Sequence, residues 1–410
     1  VNILKMKNIA VIGGGAAGFF SAISVKTHYP NYNVALFEKS SKILSKVKIS
    51  GGGRCNVTNS TIDVSVLIKA YPRGGKKLKN IFHQFGTVDT RNWFKNRGVP
   101  LKIESDGRVF PTSNSSQSII DCLVNECEKN NIKIELLKSV IGLSKVKSKW
   151  TIDFKNTSYS TPFDSVIVAS GGFPKLKGFD WLKIIGHKII NPIPSLFTFN
   201  MPSESITSLS GISLKEVKIK ILNTKIEISG PLLITHWGMS GPVILKASSF
   251  GARDLFEKKY IFELQVNWLF ESNTEILFST IEKYSLQHSK KLLSKQNPFK
   301  LPSRLWSFLI TKFILSNDKK WGELGKKNMR KLIEFLTKDI YKVSGKTTFK
   351  EEFVTCGGIS LESIDIKTMQ SKTSKDLYFA GEVLNIDGIT GGYNFQSAWS
   401  TGYIAGKLGN

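Results

Sequence analysis

Cysteine is scarce: Cys55, Cys122, Cys127 and Cys356 are the four in 410 residues, too few and too scattered for a disulfide framework or a paired zinc cluster. No metal site is therefore expected. Also missing is any apolar run of the ~18–20 residues that a spanning helix needs, which excludes an integral membrane bundle. Lys5, Lys7 and the uncharged stretch Ile9–Val25 outline a signal peptide, but the Gly13-Gly14-Gly15 centre and the absent small-residue cleavage pattern suit a nucleotide-binding turn better. The segment is expected to be retained and the chain to be cytoplasmic.

Acidic residues are few, 32 against 58 Lys and Arg, for a formal charge of +26. Arginine is rarer still: eight of those 58 are Arg, leaving 58 − 8 = 50 Lys. Readers of nucleic-acid sequence lean on arginine forks, so this balance points to a solvated lysine surface with no specific nucleic-acid partner. Weak electrostatic attraction to nucleic acid or anionic membranes is compatible with it. What is plentiful is ordinary: 41% hydrophobic and 22% charged residues describe a folded globular protein, and roughly 150 residues per domain suggests two or three domains.

The first 40 residues read as strand, turn and helix, then strand: apolar Asn8–Ile12, Gly13–Gly15, a small-residue helix from Ala16 to about Thr27, then Asn33–Phe37. Uniformly apolar strands belong to a parallel sheet covered on both faces. Ser50–Asn59 reads as a loop, Thr87–Asn96 and Ser115–Asn131 as helices, and Ser165–Ala169 as a buried strand. Past Pro192–Pro194 the pattern alternates, as in Glu216–Ile221 and Ile261–Val266, which favours antiparallel strands. Helical spacing then takes over, in a segment whose Lys283–Lys350 stretch holds 17 Lys and Arg against four acidic residues. The glycine-rich texture returns after Phe349. The expected organisation is α/β: a discontinuous domain of residues 1–190 and 345–410 around an insert of 191–344, β-rich over 191–270 and helical over 271–344.

Gly13-x-Gly15-x-x-Gly18 lies between a strand and a helix, with Glu38 closing the next strand. Such glycines let the backbone approach a pyrophosphate at a helix N-terminus, and an acidic residue about 20 positions on binds ribose hydroxyls. Ala16, Ala17 and Lys39 flank these residues. Glu38 argues against a 2′-phosphate, and so against NADP, at this site. No second such motif is found, so NADH or NADPH would serve only as a transient electron donor. At the other end, Leu377–Glu382 reads as a buried strand ending in Gly381-Glu382, similar to the second FAD signature of glutathione-reductase-like flavoproteins. Asp387-Gly388-Ile389-Thr390-Gly391-Gly392-Tyr393-Asn394 then runs into a small-residue helix, whose N-terminus suits the pyrimidine edge of a flavin. Between these ends, Lys46, Ser50, Gly51, Gly52, Gly53, Arg54, Cys55 and Asn56 supply a glycine platform and donors for a flat ring, and Gly171 closes the turn after the Ser165–Ala169 strand.

Taken together, ISGGGRCNVTN (Ile49–Asn59), GRVFPTS (Gly107–Ser113), GPLLITHWGMSGP (Gly230–Pro242) and the tract Val354–Gly402 resemble the BaiN/YhiN-like family of FAD-dependent oxidoreductases, relatives of bile-acid ring reductases and an aminoacetone oxidase. The resemblance implies a glutathione-reductase-like Rossmann domain binding noncovalent FAD, interrupted by a β-rich and helical insert. Here the chain departs from that pattern after Gly171-Gly172, where only Phe173–Trp181 precedes the Gly186-His187 turn.

Cys55 and Cys356 read as buried packing residues, with no second cysteine at dithiol spacing. His236, in Thr235–Pro242, is the one titratable candidate for catalysis, and a structural histidine there is slightly favoured. The leading reading is an FAD-dependent oxidoreductase that passes electrons from a nicotinamide or substrate donor to a small organic substrate, the flavin carrying the hard chemistry. The alternatives are an FAD-dependent RNA-modifying enzyme, with the basic segment as its footprint, and a non-catalytic flavin-binding scaffold.

Overall fold

Apolar strands stack side by side to build the sheet that carries the first motif. A computed structural model describes residues 6–155, 157–158, 161–314, 318–347 and 354–410. Asn8–Ile12 lies between Asn33–Phe37 and Ser165–Val168, all parallel, with Ile9 opposite both Val34 and Ser165. Leu377–Phe379 joins beyond Ser165–Val168, and Lys133–Glu135 beyond Asn33–Phe37, again parallel. Two short antiparallel strands, Gln370–Ser371 and Ile364–Asp365, complete a seven-stranded sheet. Ile9, Ala10 and Val11 are fully buried, as strands covered on both faces must be. The helix Ala16–His28 packs against the last helix, Tyr393–Ala405, with Phe20 and Trp399 rings 5.3 Å apart.

Because strands from both ends of the chain share this sheet, the chain divides into two compact units, Val1–Ser195 with Phe349–Asn410, and Leu196–Thr348. The return near Phe349 lies outside the described residues. The second unit has its own apolar core and a seven-stranded sheet. Its strands Ser213–Ile221, Glu227–Thr235 and Ile261–Asn267 pair antiparallel, as their alternation predicts. Two short helices, Pro242–Phe250 and Ala252–Glu257, lie within the part expected to be β-rich. A proline at the first helical position starts the first of them. Conversely, the expected helical part ends in a strand, Asp339–Ser344, whose residues alternate buried and exposed. Ser50–Asn59 is likewise no plain loop: helical turns over Ser45–Gly53, kinked at Ser50–Gly52, lead to a short strand, Thr58–Asn59.

The shortened segment after Gly172 is filled by a 3-10 turn, Leu176–Phe179, and the helix Asp180–Ile184. His187 follows, buried, with Nε2 2.9 Å from the Ser371 hydroxyl and its ring edge-on to Phe379 at 4.8 Å. Burial pushes this imidazole below its ordinary value. The unfolded chain then takes up a proton near pH 6.5 while the folded chain still resists it, so stability falls as pH drops through and below about 6.5. Thermal denaturation between pH 8 and 5 is expected to show this loss, and His187→Gln to remove part of the slope; an unchanged slope would clear His187 of the effect.

Candidate functional site

Four neighbouring parallel strands end at the same edge, and a motif follows each. After Asn8–Ile12 comes Gly13–Gly15; after Asn33–Phe37, Glu38; after Ser165–Val168, Ser170–Gly172; after Leu377–Phe379, Gly381-Glu382. The carboxyl edge of such a sheet is where open α/β folds bind ligands. The turn is tied to its acidic partner: Gly14 N–H donates to Glu38 Oε2 at 2.8 Å, while the backbone and hydroxyl of Ser40 donate to Oε1 at 2.9 Å. Gly18 lets the helix press on the turn, since a Cβ there would lie 1.8 Å from the Gly13 carbonyl oxygen. At Gly15, the N-cap of Ala16–His28, a Cβ would meet nothing within 4 Å and no side chain caps the helix. The helix start is thus uncapped by protein and open beside Gly15, as an anion-binding N-terminus requires. Lys39 is exposed, its ammonium 5.6 Å from the centre of the Phe173 ring.

Glu382 is held from two sides, accepting from the Thr355 backbone N–H at 2.9 Å and from Lys46 Nζ at 2.7 Å. The hydroxyl of Thr355 is buried beside it, and that of Ser170 at the end of Ser165–Val168, both without a hydrogen-bond partner, which is costly unless something else supplies one. Cβ atoms at Gly52, Gly53 and Gly171 would also meet nothing within 4 Å. Open glycine positions and orphaned hydroxyls on this edge are what a bound dinucleotide would explain.

The glycine loops are joined to one another. Asn59 Nδ2 donates to the Gly391 carbonyl at 3.1 Å, and the Thr58 carbonyl oxygen lies 2.3 Å from where a Gly392 Cβ would be. Gly392 has φ +90° and caps the last helix, so a proline there would break the turn and not merely delete one N–H. Several residues expected to reach a ligand also bond within the protein. Asn394 closes a two-bond ring with the Gly388 backbone, at 2.8 and 2.9 Å. Tyr393 is fixed through its carbonyl by the Tyr71 hydroxyl at 2.7 Å. Arg54 stacks 3.9 Å over Phe110 and donates to Glu104 at 2.6 Å. Asn56 is buried and accepts from Val109 N–H at 3.3 Å.

Asp387 is fully buried and takes two hydrogen bonds from Arg73 and one from Ser195 Oγ, the last at 2.8 Å. Burial pushes its carboxyl up, opposed by the bonds and charge of Arg73 and by Ser195. Burial alone would lower Arg73, but its bonds to Asp387 and the charge there carry it upward. The rise at Arg73 is what an ion pair produces, whereas the rise at Asp387 shows burial outweighing the cation's help; the pairing rests on the bidentate fork geometry, which arginine provides and lysine does not. Arg73, Thr355 and Ser170 escaped the sequence reading. The signal for Arg73 was present: an arginine kept in a chain that otherwise uses lysine.

Cys55 is fully buried at φ +60°, and burial pushes its thiol up to about 12. Cys122 and Cys127 are raised by burial to about 11 and about 12, and all four cysteines are buried and free. The native protein is expected to resist iodoacetamide at pH 8 and to take up four equivalents once unfolded in urea; rapid native labelling of Cys55, mapped by mass spectrometry, would restore a redox role for it. His236 is exposed in the turn between Glu227–Thr235 and Gly238–Ser240 of the second unit, its ring edge-on to Trp237 at 4.4 Å. Among the described residues no group of three or more His, Cys, Asp and Glu could hold a metal, and no helix is long and apolar enough to cross a membrane.

Comparison with known proteins adds the following. The family described as HI0933-like protein Rossmann domain matches residues 7–408. A 3-dehydro-bile acid delta(4,6)-reductase of Clostridium scindens is 28% identical, covering 98% of each chain. A ribosomal RNA dihydrouridine synthase of Haemophilus influenzae is 30% identical, covering 96% of each. In three dimensions, a 3-ketosteroid-delta4-(5alpha)-dehydrogenase of Rhodococcus jostii shares the fold, at TM-score 0.50 and 12% identity over 100% of this chain and 98% of that one.

Proposed function

The chain belongs to the HI0933-like family, and from that we propose that it is an FAD-dependent reductase that saturates a carbon–carbon double bond conjugated to a carbonyl, with uracil in ribosomal RNA as its substrate. The observation that carries the cofactor is the row of four motifs at the carboxyl edge of adjacent parallel strands, open at Gly15. The chemistry FAD would supply here is two-electron transfer from a reduced nicotinamide to the substrate as a hydride. This chain's residues would do the holding. The N–H groups after Gly15 would bind the pyrophosphate, and Glu38 would accept from the adenosine ribose. Glu382, set by Lys46 and Thr355, would accept from the ribityl chain. The N-terminus of Tyr393–Ala405 would favour negative charge on a flavin's pyrimidine edge by roughly 0.3–2 kcal/mol.

The substrate class rests on what the two relatives' names have in common. Dihydrouridine is uridine reduced across a double bond conjugated to a carbonyl, and a delta(4,6)-reductase of a 3-oxo steroid saturates the same kind of bond. At a bond directly conjugated to the carbonyl, hydride would add to the β-carbon and a proton to the α-carbon, and a reduced nicotinamide donor would leave oxidised. The formal charge of +26 favours the polyanion. The second reading, a small enone as substrate, is favoured by the bile-acid relative's match over 98% of the chain.

Heat-released cofactor should run as FAD, and anaerobic mixing with NADH and NADPH should bleach it. Ribosomal RNA lacking dihydrouridine, incubated with protein and donor, should gain it in nucleoside mass spectra. Flavin reduction with no new dihydrouridine, but saturation of a 3-oxo-4,6-diene steroid, would replace the first reading by the second.

A further inference from the structure

The positive charge of the second unit is not spread over it. Residues 283–331 carry thirteen Lys and Arg against two acidic residues, while the rest of Leu196–Thr348 carries eleven of each. Within this unit the whole excess sits in one segment and the remainder is balanced.

Backbone pairing then concentrates it. Leu292 and Lys320 form an antiparallel bridge, Leu293 N–H donates to the Lys319 carbonyl at 2.8 Å, and Trp321 N–H donates to the Lys291 carbonyl at 3.0 Å. This sets Lys290-Lys291 beside Lys319-Lys320. The platform is pinned from beneath: Trp306 Nε1 donates to the Leu293 carbonyl and Ser285 Oγ to the Trp321 carbonyl, both at 2.8 Å. Trp306, Trp321 and Leu293 are buried under it. Lys295 and Lys327 are exposed on the same stretch, Lys327 in the helix Gly325–Thr337. Two nearby acids are engaged with other cations, Glu282 with Lys326 and Glu275 with Arg330, while Glu323 accepts from the Lys320 backbone N–H and Asp318 adjoins Lys319. Bringing like charges together on a fixed backbone costs free energy that an anionic partner would recover.

We propose that Lys290, Lys291, Lys295, Lys319, Lys320 and Lys327 form a phosphate-binding surface that holds the backbone of folded RNA. The proposal rests on the RNA reading of function and locates the affinity for that substrate. Lysines as point charges neutralise phosphates without reading bases, so the surface supplies binding, and choice of the base falls to the reducing site.

The test is the full-length protein with Lys290→Gln, Lys291→Gln, Lys319→Gln and Lys320→Gln together, beside a control with Lys215→Gln, Lys220→Gln, Lys225→Gln and Lys342→Gln. Both sets lose four charges, at exposed or half-exposed positions of the second unit. Binding of a ribosomal RNA fragment is measured from about 50 to 200 mM salt. The first variant should bind at least about tenfold more weakly at low salt, with its log–log salt slope shallower by roughly three, at about 0.7–0.9 per lost phosphate contact. The control should stay near wild type, and FAD content and bleaching by nicotinamide should be unchanged in both. Equal losses in the two variants would reduce the surface to net charge and overturn the proposal. So would loss of binding to phosphatidylglycerol vesicles in the first variant with RNA binding intact, in favour of a membrane face. RNA binding that depends on these lysines without dihydrouridine formation would sink the reading of function and keep the surface. Dihydrouridine formation with an unchanged KM for RNA in the first variant would do the reverse.

Discussion

Valine in place of Gly15 is expected to empty the protein of flavin, from one FAD per chain to none detectable, while its unfolding midpoint stays at that of the flavin-stripped wild type. Gly15 has φ −97° and ψ −172°, an extended conformation that any residue adopts. A Cβ there would touch no protein atom within 4 Å, so the fold has no reason to resist the side chain. The space it enters is the approach to the first-turn N–H groups of Ala16–His28, where a pyrophosphate would sit. Gly18→Val makes the contrast: its Cβ would lie 1.8 Å from the Gly13 carbonyl oxygen, so helix and turn must part and stability itself should fall. Flavin absorbance after gel filtration and a thermal melt read both. A Gly15→Val protein that keeps its FAD would place the nucleotide elsewhere.

Second in size is the buried pair Arg73–Asp387. Arg73→Met leaves a fully buried carboxylate beside Ser195 with its cation gone, and breaking such a pair costs about 3–5 kcal/mol. Urea unfolding should show that loss, together with weaker FAD retention, because Asp387 leads into the Gly388–Asn394 loop. The double variant Arg73→Met with Asp387→Leu should recover most of the stability, since an apolar pair of similar volume removes the desolvation penalty instead of stranding a charge. Should Arg73→Met cost less than about 1 kcal/mol, the range of an exposed ion pair, the pair would not be what anchors this loop.

The nucleotide-binding half was legible because its signals are local. Asn8–Ile12, Gly13–Gly18 and Glu38 sit within 31 residues, and strand, tight turn and helix each follow from short-range sterics and periodicity. The two helices Pro242–Phe250 and Ala252–Glu257 were not legible, since a short apolar run fits either a strand or a buried helix. Nor was the fate of Arg54, Asp387 and Asn394. Their residue types promised donors and acceptors for a ligand; which protein groups also meet them, Glu104 at Arg54, Arg73 at Asp387 and the Gly388 backbone at Asn394, is set by packing.

By itself, then, the sequence determined the α/β class, the dinucleotide turn and the place of the glycine loops, because backbone preferences and side-chain periodicity act over a few residues. Only the tertiary structure decided that Lys46 meets Glu382, that Arg73 meets Asp387, and that the lysines at 290–291 and 319–320 share one platform. Those partners lie from 29 to more than 300 residues apart. Which of many equivalent charges pairs with which is set by how whole sheets and helices pack, since burying a charge pays only where the fold brings its partner within hydrogen-bond reach.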